Sequence, residues 1–183
     1  MMRFVAALLA VAVLVVINGC TTVDQSMQRQ TAPEEVQDDR PMASWNRLMR
    51  ETLPVVRDAL VNEPKPFYPR GFVLSRLGGV RGIHISPRAG DDHEDRLGLI
   101  FQSIRAMIRG DDIVAFVVYT TGEGQLLDTR DRSQMVVAHM EHQSGRALLR
   151  RLSYRIENGA VNFGPEDVNR TDVLIMGNRK ERQ

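Results

Sequence analysis

Apolar and polar residues are distributed very unevenly along this chain. Phe4 to Ile17 is an almost unbroken run of Ala, Val and Leu. Thr21 to Ala43 is polar, holds Pro33, Glu34, Glu35, Asp38, Asp39 and Pro41, and shows no apolar period. Periodicity begins at Trp45. With Leu48, Met49, Leu53, Val56 and Leu60 it marks one helical face, and Ser44 is placed to cap it. Pro54 interrupts, so either the helix kinks or a new one starts there with Thr52 near its cap. Pro64 and Pro66 end the segment.

Two strand-like runs follow, Gly71–Arg76 and Arg81–Ser86, around Gly78-Gly79, a pair suited to a tight hairpin turn. The next helix is expected from about His93 to Arg109, with Asp91 and Glu94 as a capping box and Gly110 as terminator. Its apolar stripe is Leu97, Ile100, Phe101, Ile104, Met107 and Ile108. Ile113–Tyr119 is β-branched and aromatic throughout, as a central strand would be. Thr121–Arg132 reads as a long polar loop. Ser133–His142 and Arg146–Glu157 read as a second hairpin turning at Gln143-Ser144-Gly145. After the Asn158-Gly159 turn signal, Val161–Phe163 and Val173–Met176 suggest short edge strands or a final packed segment.

This order, α-β-β-α-β-β-β, predicts an α+β domain over residues 44–177: a two-layer antiparallel sheet of about five strands with two packed helices. Residues 178–183 form a charged, frayed tail. The order loosely resembles the profilin-like and roadblock-type two-layer domains. That resemblance implies binding of proteins or peptides rather than catalysis.

The N-terminal run has about fourteen apolar residues after Arg3. It fits a signal-peptide core and is short for a membrane-spanning helix, which needs roughly twenty. It closes on Ile17-Asn18-Gly19-Cys20, which resembles the bacterial lipobox; Asn18 is the one bulky departure. The resemblance implies a signal peptide over 1–19 and diacylglyceryl attachment at Cys20. Thr21, where an inner-membrane lipoprotein would carry Asp, implies the outer membrane of a Gram-negative cell, facing the periplasm. Two or three acyl chains anchor firmly, since each buried methylene contributes about 0.8 kcal/mol. Residues 20–43 then form a tether. A coil of that length spans roughly 25–30 Å r.m.s..

Composition narrows the chemistry. Cys20 is the single cysteine of 183 residues, so acylation leaves no thiol for redox or metal work. The net charge of +1 gives no basic excess for nucleic acid. His139 and His142 flank Glu141 and are the best metal-ligand candidates, but on a strand His139 and Glu141 share a face while His142 points the other way. With no third spaced ligand, no metal site is expected. The acidic cluster Asp91–Asp95 is accounted for by the helix dipole. Arg109-Gly110-Asp111 reads as a helix end rather than an adhesion motif. Ser75, Ser103, Ser133, Ser144 and Ser153 lack a nucleophile motif, and Gly122-Glu123-Gly124 is too short for a phosphate cradle. Arg130, Arg132, Arg150, Arg151 and Arg155 are expected to pair across strands with Glu141 or Glu157.

The expectation is a membrane-anchored lipoprotein with a small non-catalytic binding or envelope-assembly domain. It would need no cofactor, and its partner would be an envelope protein or peptide. The alternative is an envelope hydrolase with a His/acid site assembled near His139 and His142.

Overall fold

The computed structural model describes residues 40–63, 66–85, 92–126 and 132–177. Cys20, the expected signal peptide, the expected tether as far as residue 39, Pro64, Asp91, Arg130 and residues 178–183 lie outside the described residues. The described residues belong to one compact unit.

Helix α1 spans Arg40–Asn62. It begins four residues before Ser44, so Ser44 is not its N-cap and residues 40–43, expected to close a tether, are helical. The reason is Pro41. Its fixed φ suits a first helical turn, where its missing N–H costs nothing, and here it is buried. The helix runs on through Pro54, which sits on its exposed side. Trp45, Leu48, Met49, Thr52, Val56, Ala59 and Leu60 are buried on the other side.

Strands β1 (Arg70–Ser75) and β2 (Val80–Ile83) form the first hairpin, with Gly78 in its turn at φ 85°. Helix α2 spans His93–Arg109. Its N-cap is Asp92, not Asp91, and the Asp92 carboxylate accepts from Asp95 N at 2.8 Å. Gly110 ends the helix in right-handed conformation, and it is Asp111 that turns left-handed, at φ 59°. Asp111 also accepts from the Arg76 side chain, which ties the helix end to the first hairpin.

Four more strands complete the sheet: β3 (Ile113–Gln125), β4 (Arg132–His142), β5 (Arg146–Glu157) and β6 (Ala160–Arg170). The order is β2-β1-β3-β4-β5-β6, and neighbours are antiparallel throughout. The α+β class and helix-on-sheet layering therefore hold, with six strands rather than about five. β3 and β4 also extend into the stretch expected to be loop, pairing without a break from Ala115↔His142 to Gln125↔Arg132.

Alternation along β3 explains its unbroken apolar run. Ala115, Val117 and Tyr119 join Phe72, Leu74, Val136, Ala138 and Met140 against α1. Phe116 and Val118 join Val73 and Ile113 against Ile100 and Ile104 of α2. Over Ile113–Tyr119 each face of the central strand meets its own helix, so a polar side chain there would be buried at a cost. The α1 face is pinned by one buried polar contact. Thr52 Oγ1 lies 2.7 Å from Leu48 O and 2.7 Å from the Tyr119 hydroxyl, which is also within 3.2 Å of Met49 Sδ. Burial pushes the Tyr119 phenol up to about 12, with the Thr52 hydrogen bond only partly opposing it.

Candidate functional site

His139 and Glu141 point to the same side of β4, as alternation requires, and His139 Nε2 donates to Glu141 Oε1 at 2.8 Å. Glu141 is fully buried. Its carboxylate also accepts three successive backbone N–H groups: Leu174 N at 2.7 Å, Ile175 N at 3.0 Å and Met176 N at 2.7 Å. Such a run of amides forms an anion-binding nest, here filled by a side chain of the same chain. Burial alone would raise the Glu141 carboxyl. The hydrogen bonds from His139 and from the three amides outweigh it and hold the group below the ordinary carboxylate range. The site is a clamp that lays the segment after β6 over the α2 face, where Met176 joins the core. Glu141 is therefore neither an arginine's partner nor a polar residue of an exposed turn.

His142 faces the other way and is buried, with its ring edge-on to Trp45 at 6.4 Å. Its Nδ1 accepts from Ser144 N at 3.1 Å and lies 2.9 Å from Ser144 Oγ. Because a backbone N–H points at Nδ1, that nitrogen is an acceptor and the ring proton sits on Nε2. Gly145 N donates to His142 O at 2.9 Å, so the whole contact closes the β4–β5 turn. A hollow of about 440 Å3 adjoins it, lined by Arg40, Ala43, Ser44 and Val114. The two histidines thus sit on opposite faces of the sheet and do not converge. Among the described residues no group of His, Cys, Asp or Glu could hold a metal ion.

The arginines divide into two sets. Arg151 holds Asp167 through two bonds of 2.9 and 2.6 Å, and Arg150 holds Glu166 in the same fork. Their partners lie on β6, not at Glu141 or Glu157 as expected, because β6 runs beside β5 with Arg151 opposite Asp167. Arg132 and Arg155 are instead among the residues that line a half-open cleft of about 890 Å3. It lies where the end of α1 meets β3, β4 and β5. Leu60, Phe67 and Tyr154 supply an apolar floor, and Glu63, Ser133, Gln134 and Glu157 supply polar walls. Burial pushes the Tyr154 phenol above its ordinary value.

No family model matches the chain, and neither a curated protein nor a solved structure is significantly similar to it. The cleft was not visible in the sequence, because its lining comes from five separate segments. The one hint was the polar interruption at Thr121–Arg132 beside strands that are otherwise apolar.

Proposed function

We propose that this is a lipid-anchored binding protein. Cys20, acylated at the mature N-terminus, holds it at the periplasmic face of the outer membrane, and the folded domain captures an envelope protein or peptide. The observation that carries this reading is the cleft at the end of α1. It offers about 890 Å3, an apolar floor and a polar rim, the combination expected of a recognition surface. The side chains best suited to acid–base work serve elsewhere in the fold. Glu141 is closed from solvent and occupied by backbone amides, and His142 Nδ1 is held by its own turn.

Site-specific photo-crosslinking tests it. A photoreactive residue at Gln134, in the cleft wall, is expected to give a discrete adduct in intact cells. The same group at Leu77, which is 99% exposed in the first hairpin turn, is expected to give none. Equal labelling from both positions, or none from Gln134, would contradict the proposal.

A further inference from the structure

β6 is an edge strand of 11 residues, whereas the opposite edge, β2, has 4. The register of β6 against β5 fixes which of its backbone groups are left over. Thr171 N donates to Ala147 O at 3.3 Å, and the pairs Leu149↔Asn169 and Arg151↔Asp167 continue that register in steps of two. In an antiparallel ladder such pairs exchange their N–H and C=O groups, and the residues between them turn theirs away from the neighbouring strand. Glu166, Val168 and Arg170 therefore present backbone donors and acceptors to the open side. All three are exposed, Val168 by 48%, while Asp167 and Asn169 between them are half-buried. The bulge at Gly164 and Pro165 stops just short of this run.

We infer that this edge pairs with the same edge of a second copy of the chain, antiparallel, about a two-fold axis through Val168. The run is complementary to itself. With the axis there, Val168 meets the partner's Val168, Glu166 meets the partner's Arg170, and Arg170 meets the partner's Glu166. The three side chains stand on one face of the sheet, so each opposed pair is within reach. Glu166 is already held by Arg150, and a carboxylate has lone pairs for a second guanidinium, which completes a row of alternating charge. Among the described residues no carboxylate is paired with Arg170. The backbones add about six hydrogen bonds, two for each opposed pair. Edge strands are ordinarily guarded against such pairing by lysines, bulges or inward-pointing charges. Here opposite charges placed evenly about a valine attract a copy, and an unrelated strand would lack that match.

The test places Val168→Cys in the full chain, in cell membranes, and oxidises thiols with copper phenanthroline and air. Opposed Cα atoms of such a pair lie about 5.5 Å apart, within disulfide reach. A linked species of twice the chain mass is expected on non-reducing gels. Little is expected from Leu77→Cys, or from the natural chain, whose single cysteine is Cys20. Adding Arg170→Glu sets glutamate against glutamate at both pairs and is expected to lower the yield about tenfold. Adding Glu166→Arg instead sets arginine against arginine, with the same expected loss. Two differently tagged chains, one bearing each change, are expected to link to each other at the original yield, because every pair between them is again of opposite sign. The inference is overturned if Val168→Cys gives no more dimer than Leu77→Cys, if Arg170→Glu leaves the yield unchanged, or if the linked species holds a different protein. It is equally overturned if the mixed chains, both folded by their unfolding midpoints, do not link. Should Glu166→Arg fail to fold, the comparison with Arg170→Glu decides by itself.

Discussion

Glu141 shows how a single charge can govern a whole segment. A carboxylate fully buried in the sheet would be costly by itself, yet four N–H groups converge on it and leave it ionised. Glu141→Gln keeps the size but puts an amide N–H₂ where donors already point. It is expected to cost about 2–4 kcal/mol in denaturant unfolding, with faster hydrogen exchange at Leu174, Ile175 and Met176 than elsewhere. An unchanged exchange pattern would contradict the clamp. The pH dependence follows from the direction of the shift. The folded carboxyl titrates lower than the unfolded one, so its contribution is complete above the ordinary value of 4.5 and is lost as pH falls through the folded value. Unfolding followed from pH 6 to pH 3 should therefore show falling stability in the wild type and a flatter profile in Glu141→Gln. Tyr119 behaves in the opposite sense. Its phenol is raised from 10.0 to about 12, so stability should fall between those values as pH rises. Tyr119→Phe, which removes the bond to Thr52, should remove that part of the alkaline dependence and cost about 1 kcal/mol at neutral pH.

At the scale of elements, α2 and β1 approach closely through Gly71. A Cβ there would lie 2.6 Å from Ile100 Cγ2 and 3.0 Å from Ile83 Cδ1, and the first of these is a methyl on a stiff β-branched stem. Gly71→Ala is expected to cost about 1–3 kcal/mol by thermal or denaturant unfolding. Unaltered stability would mean that α2 sits further from the sheet. Much of this architecture was legible in the chain. The stripes of α1 and α2 and the continuous run of β3 each carry the period of the element they form, and both hairpins announced their turns with glycine. Strand β6 was cut short because Gly164 and Pro165 break its pattern. In the sheet those two residues oppose Ser153 alone, whose hydroxyl donates to Pro165 O at 2.9 Å, and pairing resumes on both sides. Pro165 is tolerated there because β6 is an edge strand. Gly122 and Gly124 likewise argued for a loop, but the partner strand β4 overrides that local preference. The clamp on Glu141 had no signature at all, since its three amides lie more than thirty residues away and are backbone groups.

At the scale of the whole molecule, no helix among the described residues is long and apolar enough to cross a membrane. The proposed attachment rests on Cys20 and its acyl chains. The described domain contributes a surface, and the cleft at the end of α1 is one place where that surface is concave and chemically mixed. The two parts of the proposal are joined: the anchor restricts the cleft to the neighbourhood of one membrane, which raises its effective concentration toward partners there. Lipidation also makes a mass prediction. The membrane-extracted protein should begin at Cys20 and carry the added mass of a diacylglyceryl group, whereas an intact leader or a free thiol would exclude the anchor.

The most direct measurement combines both parts. A photoreactive residue at Gln134 is placed in the natural chain and in Cys20→Ser, and adducts are compared in the membrane fraction, counting only chains of matched length. The account predicts a discrete adduct with Cys20 intact and its loss from membranes in the serine variant. An adduct of equal yield in the membranes of both, or none in either, would contradict it.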